Sequence, residues 1–180
     1  MITNEQMAAT IVRYLKFVDE EKSIISMVLK GQLLIESEIE RLIISVYSDP
    51  SVFDLNRMMY PQKVDLLIAI GVFTKDEMTP YKEFNKIRRK FAHDLMYELT
   101  EEDVNKVFHS LSEKHSALWA GLKLDDNKTP IELLKKLLLV MITLITLQNS
   151  IDEELDKKPI DPMSVSEIKQ YIQLALYKDN

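Results

Sequence analysis

Apolar residues recur along this chain at three- and four-residue intervals, the pattern of helices that bury one face. The longest such stretch begins near Asp19 and ends before the turn signal at 48–51. Its periodic positions are Ile24, Ile25, Val28, Leu29, Leu33, Leu34, Ile39, Leu42, Ile43 and Val46. Gly31 interrupts the pattern at a cost of roughly 1 kcal/mol relative to alanine, so we expect it to mark close packing against another backbone.

Capping signals and short apolar repeats divide the rest of the chain into further helices. These are predicted from about Asn4 to Tyr14, from Pro61 to a C-cap at Gly71, from Thr74-Lys-Asp-Glu77 through Phe91, from Thr100 through Leu122, from Pro130 to about Asn149, and from Ser164 to Tyr177. Because no run of alternating strand residues is present, the sequence predicts an all-α fold, an up-down bundle of about six or seven helices.

The chain is predicted to hold one bundle followed by an extension. Residues 1–150 form the bundle, and residues 151–180 form a charged, proline-containing linker and a C-terminal helix. That helix packs either on the bundle or on a partner. The uncharged run 137–151 is predicted to be a buried helix, since it falls short of the roughly 20 apolar residues that span a bilayer.

Composition excludes several classes of chemistry. The 180-residue chain has no cysteine and only three glycines. Thiolate metal sites, disulfides, cysteine nucleophiles and glycine-rich phosphate loops are therefore excluded. The beginning of the chain lacks the features of a signal peptide. We expect a cytoplasmic protein that needs no metal or other cofactor and does not associate with a membrane.

The net charge of -6 gives no general attraction to nucleic acid. Any such contact must use a local basic patch, and one candidate is present: Lys82, Lys86, Arg88, Arg89 and Lys90. The alternative interpretation of this patch is an ordinary solvated helix face.

Arg88 and His93 lie at the predicted end of the helix that carries this patch. A histidine side chain moves protons near neutral pH, and an arginine holds phosphate with a planar fork of donors. The pair therefore suits phosphoryl-transfer chemistry on RNA without a metal. The alternatives are a helix-capping or carbonyl-bonded His93, and an Arg88 paired with Glu36 or Glu40.

Several segments together resemble the HEPN superfamily, specifically its mannitol operon repressor-like branch. They are the acidic helix segment 31–42, the segment 63–72, which is similar to a lysine-containing helix that ends in a glycine, and the helix end Asn85-Lys-Ile-Arg-Arg-Lys-Phe-Ala-His-Asp94. The resemblance covers roughly residues 20–120. It implies a bundle that forms a homodimer, with Arg88 as phosphate-binding residue and His93 as acid/base in a composite, metal-independent RNA-cleaving site.

One position departs from the family pattern. The residue after the arginine is usually a small polar one, most often Asn, and here it is Arg89. A longer cation at this position either strengthens phosphate binding or displaces His93, and it disfavours a protonated His93 if the two charges are close.

Other charged residues near Arg88 and His93 are predicted to support the site. Arg89, Lys90 and Lys86 are predicted to bind or orient RNA, and Asp94 to orient the imidazole if the helix ends there. Glu36 and Glu40, one turn apart, either support the arginines in a dimer or form an ordinary ion-paired face. His109 and His115 are predicted to be surface residues on one helix.

The leading hypothesis is a HEPN-type endoribonuclease, a toxin or defence effector with an antitoxin or regulator as protein partner. The alternative is a non-catalytic regulatory or protein-interaction module that resembles the mannitol operon repressor and acts in transcription regulation. A third hypothesis is the substrate-binding partner of a separate nucleotidyltransferase. An enzyme requires Arg88 and His93 to be exposed, whereas a regulatory module predicts that structural bonds occupy them.

Overall fold

The computed structural model describes residue 16, residues 23–47 and 54–124, and residues 129–155, with side chains in the last range as far as 149. Over these residues the chain forms six helices and no strand, which confirms the all-α prediction. They are α1 (Ile24–Val46), α2 (Tyr60–Ala69), α3 (Lys75–His93), α4 (Glu101–His109), α5 (Glu113–Gly121) and α6 (Pro130–Leu155). The helices predicted at 4–14 and 164–177 lie outside the described residues.

The two longest helices, α1 and α6, pack against each other along the core. Ser23 caps α1, and the helix ends at Val46, before the predicted turn. The uncharged run in α6 is buried through most of its length, as its pattern predicts. Near the end of α6, Asn149 donates through Nδ2 to the carboxylate of Glu38 at 2.5 Å and to its backbone carbonyl at 3.1 Å. This buried pair sets the register between the two helices.

Gly31 marks a close approach, but not to a backbone. A Cβ at this position would lie 2.9 Å from a methyl group of Leu138 on α6 and 3.4 Å from the Phe84 ring on α3. The glycine therefore makes room for two side chains at the junction of three helices, and the predicted backbone contact is wrong. The helical period alone predicts that Gly31 is buried, and it does not indicate whether a side chain or a backbone lies against it.

The single helix predicted from Thr100 through Leu122 is two helices, α4 and α5. Ser110 is the C-cap of α4, and its hydroxyl donates to the Val107 carbonyl at 2.7 Å. Ser112 is the N-cap of α5. Serine side chains that bond to nearby backbone compete with helix continuation, and the apolar spacing across the break hid this signal.

Helix α6 continues past the predicted end at Asn149 and closes at Leu155. The boundary drawn at 150–151 therefore falls inside a helix, and the charged residues that suggested a linker begin within its last turn. Glutamate is a good helix former, so charge alone did not mark the stop.

Helix α3 lies among α1, α2, α4 and α5, and it therefore positions the residues of interest. Tyr81 and Phe84 are fully buried on its apolar face. The Tyr81 hydroxyl donates to the Met141 carbonyl of α6 at 2.8 Å, and the Tyr60 hydroxyl of α2 donates to the Tyr81 carbonyl at 3.4 Å. The C-cap of α2 is Ile70, one residue before the predicted C-cap at Gly71. Gly71 follows it with φ of 79°, in the left-handed region that favours glycine.

Candidate functional site

Helix α3 begins with a complete capping box and ends at His93. The Thr74 hydroxyl accepts from the Glu77 N–H at 3.3 Å, and Glu77 accepts from the Thr74 N–H at 2.7 Å. Asp94 is the C-cap, with extended backbone. The helix end predicted from sequence is thus confirmed, and it leaves His93 as the last helical residue.

Arg88 and His93 both have side chains available to solvent. Arg88 is partly buried and His93 is exposed. Within the described residues, neither side chain has a hydrogen bond or an ion pair, and neither does the exposed Arg89. The predicted ion pair of Arg88 with Glu36 or Glu40 is therefore not formed. The predicted hydrogen bond from His93 to a carbonyl is not formed in the described chain either.

The lysines of the basic patch behave differently from its arginines. Lys82 pairs with Asp65 at 2.7 Å, Lys86 with Glu83 at 2.6 Å, and Lys90 with Asp103 at 2.5 Å. Three of the five patch cations are thus partly neutralised by the protein itself. The predicted RNA contact of Lys86 and Lys90 would compete with these pairs.

Asp94 bonds to the backbone around it. Its N–H donates to the Lys90 carbonyl at 2.9 Å, and its Oδ1 accepts from the Met96 N–H at 2.9 Å. The carboxylate therefore shapes the loop after α3. No hydrogen bond or ion pair joins this carboxylate to the His93 ring within the described chain, and its predicted orienting role stays a prediction.

The buried carboxylate of Asp103 organises the end of α3 from the first turn of α4. Oδ1 accepts from Lys90, and Oδ2 accepts from the Tyr97 hydroxyl at 2.5 Å and the Thr100 hydroxyl at 2.7 Å. Burial acts to raise the pKa of Asp103, but these hydrogen bonds outweigh it and lower that pKa to about 2. The carboxylate therefore stays ionised at any pH at which the protein would be assayed.

Sequence reasoning assigned no role to Asp103 or Tyr97. Thr100-Glu-Glu-Asp103 has the spacing of an N-terminal helix cap, and it does cap α4, since the Thr100 hydroxyl accepts from the Asp103 N–H at 3.2 Å. The capping pattern thus predicts the contact of Asp103 with Thr100. Its second partner, Lys90, lies on a different helix, and no local pattern predicts such a contact.

Glu36 and Glu40 bind a buried lysine. Lys63 of α2, 4% exposed, donates to both carboxylates at 2.5 Å. Burial acts to lower the pKa of Lys63, but the hydrogen bonds to the two acids outweigh it and raise that pKa above its usual value. In the described chain these acids therefore join α1 to α2, and neither contacts Arg88 or His93.

We expect Lys63→Met to lower the free energy of unfolding by about 2 kcal/mol at pH 7, because two neighbouring carboxylates lose their shared cation. The value lies below that for fully buried pairs, since Glu36 and Glu40 are 25% and 34% exposed and reach water. Urea unfolding measures the change. Adding Glu36→Gln and Glu40→Gln should recover most of the loss.

Lys82→Met is the matched control for this prediction, because its ion pair with Asp65 joins α3 to α2 but is exposed on both sides. Exposed pairs contribute about 0.5 kcal/mol or less. A loss at Lys63 no larger than that at Lys82 would contradict a structural role for the buried lysine.

His115 is buried, so its predicted surface position is wrong. Its side chain is fully inaccessible, its Nδ1 lies 2.7 Å from the Ser112 hydroxyl, and its ring meets Tyr81 edge-on at 5.6 Å between centroids. Its Nε2 has no hydrogen-bond partner among the described residues. His109 is exposed, as predicted. The break between α4 and α5 rotates His115 inward, which a single continuous helix would not do.

The part of the chain that the structure describes holds no cluster of three or more His, Cys, Asp or Glu side chains arranged for a metal ion. None of its helices is long and apolar enough to cross a membrane. A shallow cavity of about 440 Å³ between α3 and α4 is lined by Glu83, Glu102, Asn105, Lys106, His109 and Ser110. It contains none of the predicted site residues.

Comparison with known proteins adds no relative to this picture. No protein-family model matches the chain, and no curated protein or solved structure is significantly similar to it.

Proposed function

We propose that this protein is a cytoplasmic, metal-independent endoribonuclease of HEPN type, which works as a homodimer and serves as a toxin or defence effector. The observation that carries the proposal is the availability of Arg88 and His93. Both side chains reach solvent at the end of α3 without an intramolecular partner in the described chain, whereas the neighbouring lysines are paired.

The spacing of the pair favours a site built from two copies. Five residues along a regular helix correspond to a rotation of about 140° and a rise of about 7.5 Å. One copy of α3 therefore directs Arg88 and His93 toward different sides. Two copies related by a two-fold axis bring the arginine of one chain to the histidine of the other.

The chemistry requires only these side chains and the RNA itself. The ribose 2′-oxygen attacks the adjacent phosphorus while neutral His93 accepts its proton, and the same His93, now protonated, gives that proton to the 5′-oxygen as the bond from phosphorus to this oxygen breaks. Arg88 binds the non-bridging oxygens, where negative charge accumulates in the transition state. The products are a 2′,3′-cyclic phosphate and a 5′-hydroxyl.

Arg89 supports phosphate binding in this proposal. It is exposed and has no partner within the described residues, so its guanidinium is available to a phosphate beside the cleaved one. With all three patch lysines engaged in ion pairs, affinity for RNA rests on few cations. We therefore expect binding that weakens with salt but less steeply than for proteins with long basic surfaces.

The experiment that tests the proposal is cleavage of end-labelled RNA in EDTA by the parent, Arg88→Ala, His93→Ala and His109→Ala. We expect cleavage that survives EDTA, yields cyclic-phosphate ends and disappears in the first two variants. His109→Ala should cleave normally, because that exposed histidine lies on α4 outside the proposed site. Absence of cleavage across varied RNAs by folded, dimeric protein would overturn the proposal.

A specific observation favours the alternative, a regulatory or protein-interaction module. Leu95 and Met96, which follow the C-cap Asp94, are 96% and 87% exposed. Two adjacent apolar side chains in solvent are typical of a surface that binds another protein. If RNA is not cleaved, and if Leu95→Ser/Met96→Ser abolishes binding of a protein partner, this function replaces the first.

A further inference from the structure

The last turn of α3 is held from outside the helix. Helix ends ordinarily fray, because their final carbonyls lack partners and little free energy opposes local opening. His93 is the final residue of α3, so fraying would move its imidazole directly. The contacts of Lys90 and Phe91, one turn or less before it, oppose this motion.

Four side chains form this external support, which we call the loop clamp: Lys90, Tyr97, Thr100 and Asp103. The hub is Asp103, which accepts one hydrogen bond from each of the other three. The Tyr97 ring also packs edge-on against Phe91, with centroids 4.7 Å apart, and lies 5.4 Å from the Lys90 ammonium. The loop thus folds back over the helix end that it follows.

The backbone of the loop repeats this connection. The Asp94 N–H donates to the Lys90 carbonyl at 2.9 Å, and the Tyr97 N–H donates to the Asp94 carbonyl at 3.2 Å. His93 and the exposed Leu95 and Met96 lie between the anchored residues. These exposed side chains are therefore held in place by the bonded residues on either side. Loop residues with the same exposure and no such bonds would be mobile.

We propose that the loop clamp positions His93, so that Lys90, Tyr97 and Asp103 are positioning residues for proton transfer by this histidine. The inference rests on the proposed function, because it assigns His93 a proton to move. It also reassigns Lys90, which sequence reasoning placed among RNA-binding or orienting residues, to the orienting role. Misplacing a reacting group by about 1 Å commonly costs about 100-fold in rate.

The test uses the full chain and three variants at two residues of the loop clamp. Tyr97→Phe keeps the ring contact with Phe91 and removes only the hydroxyl. Lys90→Met keeps the aliphatic stem and removes the charge, and Lys90→Arg restores a cation. Lys106→Met is the control, because Lys106 forms a 2.7 Å ion pair with Glu102 on α4 and belongs to no proposed site.

The first measurement is amide hydrogen exchange by NMR, which needs no enzymatic activity. We expect Tyr97→Phe and Lys90→Met to speed exchange at Asp94 and Tyr97 at least about tenfold, since local opening exposes these N–H groups. The Tyr81 amide, at the centre of α3, should not change. Lys106→Met should leave all of these rates as in the parent, and unchanged rates in the clamp variants would overturn the proposal.

The second measurement separates kcat from KM in RNA cleavage. Poor positioning of His93 should lower kcat roughly 10- to 100-fold with KM little changed, and Lys90→Arg should recover most of it. If Lys90→Met instead raises KM with kcat unchanged, Lys90 binds RNA and the proposal fails. If the parent cleaves no RNA, the proposed function fails alone, and hydrogen exchange still decides whether the clamp holds His93.

Discussion

Mixing the Arg88→Ala and His93→Ala variants should restore RNA cleavage to about a quarter of the parent rate. Each variant alone should be at least about 100-fold slower, because one lacks the phosphate-binding cation and the other lacks the acid/base group. Random exchange makes half of the dimers mixed, and each mixed dimer keeps one complete site of two, which gives about a quarter under two-fold symmetry. Initial cleavage rates in EDTA measure the recovery.

The double variant Arg88→Ala/His93→Ala is the control for this mixture. Combined with Arg88→Ala, it cannot form a complete site in any dimer, so no recovery is expected. Subunit exchange is followed separately, with two fluorescent labels. Exchange without recovered cleavage would contradict an arginine and a histidine contributed by different chains.

Acid should destabilise this protein between about pH 6.5 and 4 through His115. Burial lowers the pKa of His115 from 6.5 to about 4, with the nearby Glu77 opposing and Lys114 assisting this shift. A proton on Nε2 would have no acceptor among the described residues. Between these two pH values, His115 is protonated in the unfolded chain and neutral in the folded one. The free energy of unfolding therefore falls as pH drops through this window, by about 3 kcal/mol in total.

Urea unfolding at half-unit steps of pH measures this slope, and His115→Gln should flatten it. The comparison uses slopes, so a constant packing loss in the variant does not affect it. His109→Gln is the matched control, because His109 is exposed and the slope should persist. Asp103 does not contribute to this slope. Its pKa is lowered from 3.8 to about 2, so its protonation reduces the free energy of unfolding only below about pH 4. An unchanged slope in His115→Gln would contradict the neutral, buried histidine.

Local sequence signals predicted the elements that local physics forms. The capping box at Thr74, the left-handed Gly71 and the apolar period of α3 each depend on residues within one or two turns, and each is present in the structure. Two boundaries were wrong for a related reason. The apolar spacing continues across Ser110 and Ser112, where the chain divides into α4 and α5, and the charged residues after Asn149 suggested a stop although α6 continues to Leu155.

Contacts between helices escaped sequence analysis. His115 faces inward only because α5 begins anew at Glu113, and Lys63 meets Glu36 and Glu40 only because α2 packs on α1. The pairing of Lys90 with Asp103 likewise joins two helices through a loop. A lysine on an amphipathic helix has the same sequence pattern whether its ammonium group is solvated or paired with an acid on another helix. The helical period therefore does not distinguish a solvated lysine from a paired one.

The sequence by itself determined that this chain is helical, that a long apolar α6 packs in its core, and that Arg88 and His93 lie at the end of one helix. These follow from propensity, capping and the helical period, which act over a few residues. Only the tertiary structure decided which cations remain unpaired, which histidine is buried, and what supports the end of α3. Those properties depend on distances between residues far apart in sequence, and packing alone sets such distances.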